Sequence, residues 1–356
     1  MVIRYDFSAM VMANDMEGLA QNFNKLNCIP VEVTLEHNRD LFGDFQFTTR
    51  GNAAQMLEEL LGYASSRGLP KVYILIDEYD NFTNTILSSY GQERYQEKTH
   101  GEGFIRGFFN NIKASTSNAG AAVERLFITG VSPITMDDVT SGFNIGTNIS
   151  MMPQFNDIIG FSEDEVREMI TYYKDENALP EDVTVDRLVE LMKPWYDNYC
   201  FSSRKLEERM FNSDMTLYFL NSYLQQQLPP ETMVDNNIRT DYSKLRHLIR
   251  IDKTFGVNAS VIQQIVTEGS ITAQISTSFP AEKLTDTENF KSLLFYFGML
   301  SIQGTDFGSA ILGIPNLTVR EQLYTYLVEA YREAKMFDLD LSSFSGLVKG
   351  MALRGE

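Results

Sequence analysis

An apolar run that stops on two acids constrains this chain more than any other feature. Lys71 is followed by Val72-Tyr-Ile-Leu-Ile76, then at once by Asp77-Glu78, with Asp80 just beyond. A short run of this kind, without polar alternation, reads as a strand buried on both faces, as in the middle of a parallel α/β sheet. The carboxyl end of such a strand opens on the crevice where these sheets bind ligands. Carboxylates placed there are costly unless something cationic meets them. Asp77 is therefore predicted to hold Mg²⁺ through its water shell, and Glu78 to polarise a water that attacks a phosphate. The alternative is an ordinary strand followed by an acidic turn.

A second strand favours the chemical reading. Arg125-Leu-Phe-Ile-Thr129-Gly130-Val-Ser132-Pro133 lies roughly fifty residues on, beyond a helical stretch, which is the spacing of a right-handed parallel crossover. Its polar end is predicted to lie beside Asp77, with Thr129 or Ser132 as the hydroxyl that senses a terminal phosphate. The competing reading is a Gly-Val-Ser-Pro turn that merely closes a core strand.

The phosphate cradle that normally accompanies such a strand is Gly-x-x-x-x-Gly-Lys-Ser/Thr, whose backbone N–H groups and lysine hold the phosphates. No such motif occurs in the 356 residues, which open directly on the strand-like Val2-Ile-Arg-Tyr-Asp-Phe-Ser8. The expectation is a parallel-sheet core incomplete at its N-terminus, with the cradle upstream or the site degenerate.

Composition narrows the function classes. A formal charge of −18 argues against a broad nucleic-acid or anionic-membrane surface, because the long-range field repels phosphates. Length and 43% hydrophobic content suit two or three ordered domains. No apolar run approaches a membrane span and no signal pattern opens the chain, so a cytoplasmic protein is expected. Cys28 and Cys200 lie far apart, and His37, His100 and His247 are scattered. Neither zinc-ligand spacing nor a histidine-based triad has support, and a metal would be magnesium carried with nucleotide.

Residues 1–160 alternate strand and helix: an amphipathic segment from Met10 to Leu26, a helix from Gly51 stopped by Gly68 and Pro70, and a helix from Gly103 to Ala114 with Phe104, Phe108, Phe109 and Ile112 on one face. Ser162 with Glu165 forms a capping box that opens a helical block over residues 161–230. Within it the aromatics of Trp195-Tyr-Asp-Asn-Tyr-Cys-Phe201 are expected to pin helices together. Residues 231–335 carry helices around Tyr242–Arg250 and Ala259–Thr267. There follow a helix from Glu288, a strand from Met299, a turn over Gly304–Gly308, a strand to Ile314 and a last helix. That order suits a winged-helix-like module, although its few basic residues favour a protein contact over DNA. Residues 336–356 read as a tail or linker.

These motifs resemble in series a bacterial family of predicted AAA-ATPase-like proteins. The stretches that carry the resemblance are Val2–Ser8, Leu75-Ile-Asp-Glu-Tyr-Asp80, Phe127-Ile-Thr-Gly-Val-Ser-Pro133, Ser141-Gly-Phe-Asn-Ile145, Gly160–Val166, Trp195–Tyr199 and Ile314-Pro-Asn316. The resemblance implies an α/β fold with a P-loop NTPase-like core, a helical lid and a winged-helix-like region. It also implies ATP and Mg²⁺ as cofactors, conditional on an upstream Walker A segment. Asp77 and Glu78 would be the Walker B pair and Thr129 or Ser132 the sensor. Family members often carry a C-terminal PD-(D/E)XK nuclease-like domain, which would begin beyond residue 356. The reading is an ATP-binding molecular switch, with a protein partner or homo-oligomer. The alternative is a non-catalytic interaction module on a degenerate NTPase scaffold.

Overall fold

Alternation, rather than continuity, governs the first strands. A computed structural model of the chain describes residues 1–9, 15–81, 104–117, 121–131, 133, 146–235, 257–280, 283 and 286–333. The chain divides into two units, one of Met1–Ser150 with Gln274–Phe297, the other of Met151–Ala273 with Gly298–Glu356.

In the first unit β1 (Val2–Asp6), β2 (Val72–Asp77) and β3 (Val123–Ile128) form a parallel sheet in the order β1-β2-β3. Helices α1 (Met16–His37), α2 (Arg39–Phe42), α3 (Ala53–Ser66) and α4 (Phe104–Ser117) connect or flank the strands. α1 packs on β1, α4 on β3, and α3 on both helices. Ile3, Tyr5, Val72, Ile74 and Ile76 are buried, while Val2, Tyr73, Leu75 and Phe127 stay exposed. β2 is thus apolar on both faces but covered on one, which corrects the expectation of a strand buried on both. Among the described residues the flanking helices contact the sheet through its buried face, so every second side chain is left out.

The covered face is dominated by aromatics. Phe108 meets Tyr5 edge-on at 5.1 Å and Phe23 at 5.5 Å, and Phe7 packs on Phe23 at 5.8 Å. Phe108, Phe109 and Ile112 are fully buried on α4, as its spacing predicts, and Phe104 packs on Phe23. Each such side chain contributes about 1.5–3 kcal/mol of burial energy. α1 starts at Asp15, whose carboxylate accepts from the Gly18 N–H. α3 starts at Asn52, whose side chain accepts from the Gln55 N–H. Asn24 of α1 accepts from the Ala53 N–H, tying one helix to the start of the other.

In the second unit α5 (Glu163–Asp175), α6 (Val185–Tyr196) and α7 (Ser213–Gln226) close on a core that includes Val166, Ile170, Leu188, Met192, Tyr196 and Phe219. The Ser162–Glu165 capping box is complete in both directions. After α6 the chain turns at Asn198, whose φ is +77°. Tyr196 is fully buried and donates to the Met233 carbonyl, and Tyr199 pairs by backbone with Met210. Tyr196 thus serves the helical core, as the sequence predicts for this aromatic stretch.

Helix α8 (Val257–Glu268), strand β4 (Ser270–Ala273), helix α9 (Thr287–Tyr296), strands β5 (Ser301–Asp306) and β6 (Ser309–Gly313), and helix α10 (Leu317–Glu333) complete the order. α9 belongs to the first unit. The three strands make an antiparallel sheet in the order β4-β6-β5. Two features of this region differ from the sequence reading, just as α1 of the first unit runs on to His37 beyond the Leu26 expected. β4 is an added strand, and β5 runs through Gly304–Asp306, so the hairpin turn shrinks to Phe307-Gly308. The helix predicted around Tyr242–Arg250 lies outside the described residues.

Candidate functional site

The carboxyl ends of β1, β2 and β3 bring together the residues that the sequence singled out. Asp6 and Asp77 are direct partners across β1 and β2. The ladder continues one residue past β3, where the Thr129 N–H donates to the Ile76 carbonyl at 2.8 Å and the Tyr79 N–H donates to the Thr129 carbonyl at 3.0 Å. This locks Thr129 beside the acidic turn. Its hydroxyl donates to Asp77 Oδ1 at 2.6 Å, a charge-assisted bond that fixes the carboxylate's orientation.

The other oxygen of Asp77 is held only loosely. Arg4, on the open face of the sheet, brings a guanidinium nitrogen to 3.8 Å from Asp77 Oδ2, with the two side chains 68% and 49% exposed. An ion pair that wet contributes little to stability. It leaves an oriented, half-exposed carboxylate oxygen at the end of a strand, which suits water-mediated attachment of a hydrated magnesium ion. Among the described residues no cluster of three His, Cys, Asp or Glu side chains is placed to hold a metal. Asp6 is occupied locally. Its carboxylate accepts from the Ser8 N–H at 2.9 Å, and hydrogen bonding to Ser8 holds its pKa below the usual carboxylate value.

Glu78 sits at φ +55°, a left-handed conformation that costs a non-glycine residue about 1–2 kcal/mol. It lies at the tight turn that follows β2, where strain of this kind is often functional. The turn is held by groups the sequence reading missed. Asp80 is buried and accepts from the Val131 N–H at 3.1 Å. Gly130 closes over it: a Cβ there would lie 2.4 Å from the Tyr79 ring and 2.5 Å from Asp80 Oδ1. Burial, with Asp80 and Tyr296 as lesser causes, pushes the Tyr79 hydroxyl well above its ordinary pKa. Asn81 reaches back to donate to the Phe7 carbonyl at 3.3 Å, joining the turn to the end of β1. The only sequence signal for this clamp is the spacing of Asp80 after Asp77-Glu78 and the small residue that follows Thr129.

Asp77 and Thr129 are therefore brought together and Glu78 stands beside them in the chain. Ser132 lies outside the described residues, while Pro133 next to it is buried. Cys28 and Cys200 are buried free thiols. No helix among the described residues is long and apolar enough to cross a membrane.

A curated relative from Azotobacter chroococcum mcd 1, described as an uncharacterized protein in the vnfD 5′ region, is 25% identical over 223 residues. The match takes in 61% of this chain and 36% of that protein, so the chain spans well under two thirds of the relative's length. Residues 1–140 match the AAA-ATPase_like family model, whose description is predicted AAA-ATPase. Over that segment, which carries the Asp77–Thr129 pair and the Asp80–Gly130 clamp, the chain is similar to the predicted AAA-ATPases that its motifs resemble.

Proposed function

We propose that this chain provides the magnesium-holding and water-activating part of an ATP-driven molecular switch. One observation carries the reading: Asp77 and Thr129 stand at adjacent carboxyl ends of a parallel sheet, joined by a 2.6 Å hydrogen bond. Asp77 would hold magnesium, whose charge offsets that of the phosphates when Mg-ATP is bound. Thr129 keeps one carboxylate oxygen engaged so that the other faces the ligand. It also acts as the hydroxyl that registers the terminal phosphate, with Ser132 as the alternative. Glu78 accepts the proton of the attacking water. The reading requires a phosphate-binding segment from outside these 356 residues, because catalysis of phosphoryl transfer rests on positioning and charge stabilisation.

In this reading the helical block of residues 161–230 is the lid, and residues 231–335 form a winged-helix-like module. The antiparallel pairing β4-β6-β5 beside helices α8 and α10 supports the latter. The protein would work in the cytoplasm. A second reading, a non-catalytic interaction module, draws support from the exposed apolar side chains of the first sheet.

Calorimetric titration of Mg-ATP into this chain, into the chain extended upstream in its gene, and into the extended Asp77→Asn variant tests the proposal. Binding that appears on extension and weakens at least about tenfold in the variant is the expected result. Loss of metal-dependent nucleotide binding in all three would leave the interaction module.

A further inference from the structure

The turn after β2 is held in a conformation that its own sequence disfavours. Glu78 takes φ +55°, and its carbonyl accepts from the Asn81 N–H at 3.0 Å, so residues 78–81 close a tight turn that opens on a left-handed glutamate. A non-glycine residue stays in that conformation only where its surroundings over-determine it. Here the surroundings are the end of β3. The Tyr79 N–H donates to the Thr129 carbonyl at 3.0 Å, and Asp80, 2% exposed, accepts from the Val131 N–H at 3.1 Å. These two ties bracket Gly130, whose lack of a side chain lets the Tyr79 ring and the Asp80 carboxylate close in.

The two ties differ in kind. The one from Tyr79 is backbone to backbone and survives most substitutions, whereas the one from Asp80 is made by a side chain and depends on its identity. A carboxylate accepting from a backbone N–H makes one of the stronger hydrogen bonds in a protein, and a buried acid has to be held this way. Asp80 is also withdrawn from any ligand, in contrast to the half-exposed Asp77 three residues before it.

We infer that Asp80 is a positioning residue: by tying the turn to the strand end that carries Thr129, it holds Glu78 in its left-handed conformation and sets where that carboxylate stands beside Asp77. The inference rests on the ATPase reading for what Glu78 does, but not for how Glu78 is held. The same tie makes the Thr129–Val131 segment and the Glu78 turn shift together. A terminal phosphate met by the Thr129 hydroxyl is thereby registered at the acid that activates water.

A melting cycle on the 356-residue chain tests how Glu78 is held. Glu78→Gly removes the left-handed strain and should raise the melting temperature of the native chain. In an Asp80→Ala background the turn can relax, and the gain should shrink. Asp80→Leu, which fills the space without an acceptor, gives the same comparison where the alanine variant does not fold. No gain in the native chain, or equal gains in both backgrounds, would overturn the inference. In the chain extended upstream in its gene, Asp80→Ala should lower kcat for ATP hydrolysis by about tenfold or more while the Mg-ATP Kd stays within about twofold, because the Asp77–Thr129 bond is kept. Asp80→Asn retains an oxygen to accept the Val131 N–H and should recover most of kcat. Parallel losses of affinity and kcat, or no recovery with Asn, would make Asp80 a merely structural residue. An extended native chain that binds no Mg-ATP would overturn the ATPase reading and this role of Asp80 with it. A failed melting cycle beside intact Mg-ATP binding would overturn the Asp80 inference alone.

Discussion

The two units treat their polar groups in opposite ways. In the helical unit the acids at the start of α5 and α6 are tied into local pairs. Glu163 accepts from Lys193 and Arg167, Arg167 also meets Asp186, and Ser162 and Glu165 cap one another. Buried Asn156 accepts from two successive N–H groups, and buried Asn316 donates to the Asp197 carbonyl while capping Val319. At the strand ends of the first unit the same kinds of residue are oriented but left partly open, with Asp77 hydrogen-bonded by Thr129 through one oxygen and facing Arg4 at 3.8 Å with the other. Satisfied acids stabilise a fold, whereas an oriented and accessible one is available for a ligand.

The comparison can be broken at several points, beginning with the cores. Phe108→Ala beneath the parallel sheet and Phe219→Ala in the helical unit remove fully buried rings and should each cost about 3–5 kcal/mol in chemical denaturation. A much smaller loss at Phe108 would mean that the single-sided core is looser than its aromatic contacts imply. Next in size is Gly130→Ala, whose methyl group meets the Tyr79 ring and Asp80 and should destabilise by about 1–3 kcal/mol. Thermal melts should place it well below Gly62→Ala, where nothing lies within 4 Å of the added carbon. Ser162→Ala breaks the capping box and should cost about 1 kcal/mol.

The smallest effects carry opposite signs, and so sharpen the contrast. Hydrogen bonds from Lys193 and Arg167 lower the Glu163 pKa. Its stabilisation is present above the unfolded carboxylate pKa and is lost as pH falls through the depressed folded value. Glu163→Gln should lower the melting temperature at neutral pH, with the difference vanishing in acid. Burial raises the Asp197 pKa, so its contribution is full below the unfolded pKa and is lost as pH rises through the folded one. Asp197→Asn keeps an oxygen to accept the Asn198 N–H and should raise the melting temperature near pH 7 but not in acid. Tyr5→Phe should likewise be neutral or slightly stabilising, because the buried Tyr5 hydroxyl has no hydrogen-bond partner among the described residues.

Much of this organisation was legible in the sequence because its signals are local. A helix start such as Ser162–Glu165 is a four-residue pattern, and the aromatic stripe of α4 follows from helical spacing. The Asp77–Thr129 pairing was also within reach, since two apolar runs ending in polar groups and separated by a crossover place those ends side by side. β4 was not legible. Four residues, Ser270–Ala273, become a strand by pairing with β6, some forty positions later. The Asp80–Gly130 clamp escaped for the same reason, since the need for a glycine arises from a ring and a carboxylate delivered by another strand end.

By itself, then, the sequence determined most of the segments that become strands and helices, the capped start at Ser162, and which acids end the central strand. These follow from periodicity, capping and the cost of burying charge within a few residues. Only the tertiary structure decided that β2 shows an exposed apolar face, that Glu78 and Phe307 take left-handed turns, and that Asp77 meets Thr129 closely with one oxygen and Arg4 loosely with the other. The identity of a side chain sets what it can bond. Whether that capacity is spent inside the fold or left for a ligand depends on neighbours brought in from distant sequence, and those are fixed by packing.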